Sequence, residues 1–166
     1  MPLSDTVLIR HRRSEDLGAC AALLRQVHER DRYPVNWPAD PVAFLTPADE
    51  LVSWVATRDR ELVGHVMLAA PPASLAAHAS TVGQDLLLLR LLFVAPNARG
   101  MRLGTRLLDL ATSAAAARGC RTVLEVLSLN VDAIATYERA GWTAVGTTTP
   151  DWAPDGMHAV VYLAQS

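Results

Sequence analysis

One continuous passage, residues 85–119, limits the folds open to this chain. Residues 86–94 (LLLLRLLFV) are almost all apolar and lack the alternation of a half-solvated strand, so they predict a strand covered on both faces. Pro96 ends it, because proline cannot donate to a strand ladder. From about Arg102 to Gly119, leucine and alanine recur at helical spacing. The passage therefore predicts a buried strand, a tight loop and a helix, within a mixed sheet that has helices on both faces.

The loop between this strand and this helix has the properties of an anion site. The first N–H groups of a helix have no partner inside the helix, and the helix dipole makes that end positive. Arginine side chains at 99, 102 and 106 add charge that a phosphate can use. We therefore predict that the loop binds a phosphate or pyrophosphate through residues Arg99, Gly100, Met101, Arg102, Leu103, Gly104 and Thr105.

At these residues the chain resembles the GCN5-related N-acetyltransferases (GNAT), whose cofactor loop reads Q/R-x-x-G-x-G/A. Arg99, Leu103 and Gly104 fall on that pattern, but Arg102 occupies the position where the motif has its first glycine. We expect Arg102 to have the right-handed backbone of a helix start, because a positive φ would cost an arginine about 1–2 kcal/mol. The resemblance implies that the loop holds the pyrophosphate of acetyl-CoA.

A second GNAT signature, L-x-V-x-x-x-N-x-x-A-I-x-x-Y-E-x-x-G-F/W, is matched by residues 124–142. The resemblance implies an α/β (α+β) acyl-CoA N-acyltransferase fold. Its sheet would be mixed and mostly antiparallel, with six to seven strands, splayed central parallel strands and helices on both faces. It implies one acetyltransferase domain over residues 1–166. It also implies that Leu92, Phe93 and Val94 lend backbone groups to the cofactor, with the Val94 amide polarising the thioester carbonyl.

Glu125 lies inside an apolar segment, RTVLEVL, that reads as a strand. An unpaired carboxylate there would be costly, so it needs a justification. Catalysis is one, since desolvation makes a carboxylate a better proton acceptor. Glu125 also resembles the catalytic base of the GNAT subgroup that acetylates ribosomal-protein N-termini. The alternative is an ion pair with Arg90, which stands where many family members carry a glutamate base.

Acyl transfer from a thioester also needs an acid for the departing thiolate. Tyr137 is our candidate, because a phenol has a pKa near 10 and this tyrosine has a place in the signature. The alternative is a core aromatic. Asn130 resembles the family residue that hydrogen-bonds the pantetheine arm, and a helix cap is the alternative for it.

The segment 31–47 is rich in proline and aromatic residues. In this family the corresponding segment commonly walls the acceptor site, so Tyr33 and Trp37, with Asn36 and Asp40, are candidate substrate contacts; simple packing is the alternative. His65, in the predicted strand 61–69, is either a base near the acceptor or a structural residue. The acceptor is expected to be a small-molecule amine or a peptide or protein N-terminus.

Composition excludes several classes of function. The formal net charge of −2 and the pI of about 6.2 argue against nucleic-acid binding. No apolar run approaches the ~20 residues that cross a membrane, and no signal peptide is apparent. The two cysteines form no metal-binding motif. We therefore expect a cytoplasmic enzyme that binds no metal. The strand 157–163 is a candidate edge strand through which two copies could pair as a homodimer. The alternative is a non-catalytic acyl-CoA-binding or sensing module in which Arg90 and Glu125 neutralise each other.

Overall fold

The computed structural model describes residues 6–78 and 83–165. Its strands are β1 (Val7–His11), β2 (Glu50–Arg58), β3 (Glu61–Ala69), β4 (Leu86–Val94), β5 (Arg121–Leu127), β6 (Thr143–Thr148) and β7 (Ala159–Leu163). Its helices are α1 (Leu17–Asp31), α2 (Pro41–Leu45), α3 (Ala73–Ala76), α4 (Leu103–Ala117) and α5 (Val131–Arg139). Residues 1–5, 79–82 and 166 lie outside this description, and the extent of the domain stays a prediction.

All seven strands form one sheet in the order β1-β2-β3-β4-β5-β7-β6. Neighbouring strands are antiparallel except β4 and β5. These two pair in parallel only from Leu86 opposite Arg121 to Leu88 opposite Val123. Beyond Leu88 they part, and a gap opens in the middle of the sheet. The expected mixed sheet with splayed central parallel strands is confirmed.

The expected edge strand was wrong. Residues 159–163 form β7, which lies between β5 and β6, so the edge on that side of the sheet is β6. The apolar sequence AVVYL of β7 is mostly buried, whereas β6 (TAVGTT) is exposed along nearly its whole length. Burial of the more apolar strand explains why β7 takes the interior position.

Helix α4 packs across β3, β4 and β5 and buries Leu103, Leu107, Leu108, Ala111 and Ala115. Gly64 permits this packing, because a Cβ at that position would lie 3.0 Å from the Cδ1 atom of Leu107. Successive side chains of a strand point to opposite faces, so His65 faces away from α4. Helix α1 packs against β3 and β4 and buries Cys20, Leu23, Leu24 and Val27. Among the described residues, no helix is long and apolar enough to cross a membrane.

Candidate active site

A bulge interrupts β4 where the gap in the sheet begins. Arg90 is opposite Met67 and Phe93 is opposite His65, so Leu91 and Leu92 together face the single residue between those partners. Leu91 has a φ of 53°, a left-handed conformation that costs a side-chain-bearing residue about 1–2 kcal/mol. A bulge bends and twists its strand. Residues 92–94 therefore leave the bulge in a new direction, beside the gap.

His65 lies under this bulge. It is fully buried, and burial lowers its pKa to about 4. Its Nδ1 atom is 2.8 Å from the Leu91 carbonyl oxygen and its Nε2 atom is 3.0 Å from a guanidinium nitrogen of Arg12. A histidine with both nitrogens engaged inside the core is a structural residue, not a base that meets an acceptor.

Glu125 and Arg90 do not pair with each other. Glu125 is partly buried, and its carboxylate accepts a hydrogen bond from the hydroxyl group of Thr148, the last residue of β6. The guanidinium of Arg90 lies 3.7 Å from the carboxylate of Asp49. The two strands have parted at this level, which gives each residue a different partner. The ion-pair explanation of Glu125 therefore fails.

Two tyrosines from distant parts of the chain, Tyr33 and Tyr137, lie close enough for one to affect the pKa of the other. Burial raises the pKa of Tyr33 to about 12, while the charge of Arg90 and a hydrogen bond from the Leu91 backbone oppose that rise. Burial also raises the pKa of Tyr137 well above its usual value, and Tyr33 adds to the effect. The Tyr137 ring lies 5.7 Å from that of Trp142. Both phenols therefore keep their protons throughout the physiological pH range.

The loop before α4 differs from our expectation at one residue. Arg102 has a φ of 56° and is left-handed, so the predicted right-handed backbone was wrong. Gly100 is left-handed as well, with a φ of 81°. The chain turns from an extended Arg99 into a helix that begins at Leu103, and this tight reversal requires positive φ. The position is one that favours glycine, and the arginine is strained there by about 1–2 kcal/mol.

The N-terminus of α4 presents amides without helical partners. The first hydrogen bond of the helix runs from the Arg106 amide to the Arg102 carbonyl, at 3.0 Å. The amides of residues 103–105 come before it and therefore have no partner inside the helix. A Cβ added to Gly104 would have only the Val94 Cγ2 atom nearby, at 3.9 Å. Open space thus adjoins these amides at the end of β4.

Charged side chains surround this loop. The Arg99 guanidinium forms an ion pair with Asp31, the last residue of α1, and lies 3.5 Å from the Val94 carbonyl oxygen. Arg58, at the end of β2, places a guanidinium nitrogen 3.2 Å from the sulfur of Met101. Sequence reasoning missed Arg58, because a hairpin residue distant in sequence carries no motif signal.

Asn130 is the N-cap of α5: its side-chain oxygen accepts from the Ala133 amide at 3.3 Å. The cap alternative is thus realised in the structure. The cap uses only the carbonyl oxygen, so the amide NH₂ group can still donate to a ligand.

The segment after α1 is anchored from two sides. Trp37 packs on α1, with its ring 5.2 Å from that of His28 and with the Arg25 guanidinium 4.6 Å above its centre. The Asn36 side chain donates to the Trp152 carbonyl, 3.2 Å away in the loop between β6 and β7. Asp40 caps α2 by accepting from the Ala43 amide at 3.0 Å. The segment and the loop between β6 and β7 therefore meet, with Tyr33 near the bulge and Trp37 against α1.

The sequence matches one family model, described as the acetyltransferase (GNAT) family, over residues 23–142. No curated protein sequence matches the chain.

Solved structures with the same fold include enzymes from bacteria and plants. The ribosomal-protein-S18-alanine N-acetyltransferase from Escherichia coli has a TM-score of 0.72 at 18% identity, and the alignment covers 96% of this chain and 93% of that one. NAA60 from Arabidopsis thaliana in complex with acetyl-CoA has a TM-score of 0.74 at 21% identity, covering 95% and 97%. Naa50 from the same plant, in complex with the bisubstrate analogue CoA-Ac-MVNAL, has a TM-score of 0.68 at 18% identity, covering 96% and 99%.

Proposed function

This chain belongs to the GNAT acetyltransferase family, and from that premise we propose that it is an acetyl-CoA-dependent N-acetyltransferase acting on a primary amine. We further propose direct transfer within a ternary complex. The single observation that carries the proposal is the gap between β4 and β5. The amides at the start of α4, which have no partner inside the helix, follow β4, and Glu125 lies on β5 beyond the last parallel pair. We therefore expect phosphate binding, backbone hydrogen bonding and proton acceptance to take place at this one opening in the sheet.

The described residues fit acetyl-CoA. The amides of residues 103–105 suit a pyrophosphate, and Arg99 and Arg58 bring positive charge to the same loop. The backbone of Leu92, Phe93 and Val94, together with the Asn130 amide group, would hold the pantetheine arm along the gap. When bound, acetyl-CoA supplies an acetyl group activated as a thioester.

Glu125 is the proposed base. The amine must lose a proton before it attacks, and a carboxylate beside the gap can accept that proton, through a water molecule. Thr148 fixes the orientation of the carboxylate by donating to one of its oxygens. The other oxygen keeps its capacity to accept.

Tyr137 is the proposed acid. It keeps its proton because burial raises its pKa. It is also linked to the bulge, because Tyr33 affects its pKa and the Leu91 backbone hydrogen-bonds Tyr33. It would donate this proton to the thiolate as the acetyl group leaves. Tyr33 and Trp37 would line the acceptor side.

The acceptor class is a small-molecule amine or the N-terminus of a peptide or protein. Two structural relatives favour the peptide, since one is a ribosomal-protein-S18-alanine N-acetyltransferase and another was crystallised with a bisubstrate analogue that carries the sequence MVNAL. We therefore propose to test N-terminal peptides first and small amines second.

The test is isothermal titration with acetyl-CoA, followed by a free-thiol release assay against a panel of N-terminal peptides and small amines. We expect binding, and turnover with at least one acceptor. Binding without turnover across the panel would favour a sensing module. Absence of binding would mean that the strained loop at Arg102 no longer holds a pyrophosphate.

A further inference from the structure

His65 is part of a buried polar network that ends at the bulge in β4. The network begins at Arg12, whose side chain is only 6% exposed. One guanidinium nitrogen of Arg12 donates to the Leu45 carbonyl at 2.8 Å, and the other binds the Glu50 carboxylate at 2.6 Å. Ser53 donates to that same carboxylate at 2.7 Å. The guanidinium is thus held on both sides.

Arg12 determines the tautomer of His65. The Nε2 atom of His65 lies 3.0 Å from the Arg12 Nη1 atom. A guanidinium has only donors, so Nε2 must accept, and the ring proton must sit on Nδ1. The Nδ1 atom then donates to the Leu91 carbonyl, 2.8 Å away. A chain of hydrogen bonds with one defined direction therefore runs from Arg12 to Leu91.

The Leu91 carbonyl needs this donor. Leu91 has no partner on β3 in the register of the two strands, because that register shifts at the bulge, and a buried carbonyl without a hydrogen bond is costly. The His65 ring also stacks on Phe93, with ring centres 4.9 Å apart and planes at 10°. His65 therefore holds the bulge at Leu91 and the residue two positions beyond it.

We propose that His65 is a positioning residue for acetyl transfer: held in one tautomer by Arg12, it fixes the Leu91 bulge and thereby aims the backbone of residues 92–94 into the gap between β4 and β5. This role rests on the proposed function, since those backbone groups matter for catalysis only if acetyl-CoA lies along them. The direction of the β4 backbone, however, is a property of the free protein. It can be measured without substrate.

Three substitutions separate the two hydrogen bonds of His65. His65→Asn places an amide near the Nδ1 position and keeps a donor for Leu91. His65→Gln places its amide near Nε2, keeping the contact with Arg12 but losing the donor. His65→Leu loses both. Leu24→Val, in the buried face of α1, serves as a control for a general loss of stability.

Turnover tests the role in catalysis. We expect His65→Leu and His65→Gln to lower kcat by about 10–100-fold, because a displacement of about 1 Å of reacting groups costs up to about 100-fold. We expect His65→Asn to retain most of kcat. Because residues 92–94 also hold the pantetheine arm, His65→Leu and His65→Gln should weaken acetyl-CoA binding too, but by less than they lower kcat, since the pyrophosphate loop is separate. A wild-type kcat in His65→Gln, or equal losses in His65→Asn and His65→Gln, would overturn the proposal.

Amide hydrogen exchange in the free protein tests the positioning itself. We expect faster exchange at residues 92–94 in His65→Gln than in His65→Asn or Leu24→Val. Unchanged exchange at these residues would refute the role of His65 even if the enzyme is active. If wild-type protein neither binds acetyl-CoA nor turns over while exchange changes as expected, the proposed function fails and the structural role of His65 stands. If His65→Leu does not fold, the comparison of His65→Asn with His65→Gln still tests the proposal.

Discussion

The hydroxyl group of Thr148 donates a hydrogen bond to the carboxylate of Glu125, so the last residue of an edge strand orients the proposed base. Glu125→Gln keeps the size of the side chain but removes the proton acceptor. We expect kcat to fall by about 10²–10⁴-fold, with an unchanged Kd for acetyl-CoA measured by titration.

The control for this prediction is Thr148→Val, which removes the orienting bond and leaves the carboxylate in place. Its loss of kcat should be smaller than that of Glu125→Gln. Equal activity of Glu125→Gln and wild type would exclude Glu125 as the base.

Tyr137→Phe tests the acid. Removal of the hydroxyl should lower kcat by about 10²-fold or more and leave acetyl-CoA affinity unchanged, because the ring keeps its packing against Trp142. Burial raises the Tyr137 pKa, so the wild-type enzyme should not lose activity from its ionisation at any pH below the usual tyrosine pKa of about 10. An unchanged kcat in the variant would remove Tyr137 from the mechanism.

Gly104 tests the pyrophosphate loop. A Cβ at this position meets only Val94 Cγ2, at 3.9 Å, so Gly104→Ala should fold and bind nearly as the wild type does. Gly104→Glu should abolish binding of acetyl-CoA, because it places a negative charge beside the amides that would hold the phosphates. Gly104→Gln separates charge from bulk and should bind better than Gly104→Glu. Equal Kd values for Gly104→Glu and Gly104→Ala would mean that the phosphates bind elsewhere.

Arg102→Gly tests the strained backbone. Glycine adopts a φ of 56° at little cost, so the variant gains about 1 kcal/mol from lost strain, which the greater freedom of glycine in the unfolded chain partly offsets. Its free energy of unfolding in denaturant should therefore be equal to or greater than that of Arg102→Ala, which keeps the strain. Both variants lack the charge, and comparing their Kd values for acetyl-CoA isolates the effect of loop geometry. A less stable glycine variant would contradict the assigned left-handed conformation.

The stability of the fold should depend on pH through His65. Burial and the Arg12 charge lower its pKa to about 4, while the Leu91 carbonyl opposes the shift. The unfolded chain has a histidine pKa near 6.5 and therefore binds a proton first as the pH falls. The neutral, buried His65 therefore contributes about 3 kcal/mol to the free energy of unfolding. This contribution is fully present above about pH 6.5 and is lost as the pH falls to about 4.

Denaturant unfolding at a series of pH values checks this prediction. His65→Asn cannot titrate, so its stability should fall less than that of the wild type between pH 6.5 and 4. Asp16 also begins to lose its contribution to stability as the pH approaches its ordinary pKa of 3.8, because the Arg10 guanidinium lowers its folded pKa to about 2. This loss is the same in both proteins and cancels in their comparison. If the free energy of unfolding falls equally with pH in the two proteins, His65 is not a buried neutral histidine.

Local sequence patterns were sufficient for much of this protein. The bounds of β3, β4 and β5 agree with the segments predicted from the sequence. The two signatures, the loop at 99–105 and residues 124–142, predicted the family, which the family match confirms. Periodicity, helix termini and motif spacing are properties of contiguous residues, and they can be interpreted without knowing the fold.

Only the tertiary structure decided which distant groups meet. Glu125 has Thr148 as its partner and Arg90 has Asp49, because the central strands part before they reach each other's level. Residues 159–163 became an interior strand since the chain buries its more apolar strand. The left-handed Arg102 and the hydrogen bond from His65 to Leu91 follow from how a turn and a bulge must join packed elements. Such features depend on register and packing between segments far apart in sequence, and no local pattern encodes them.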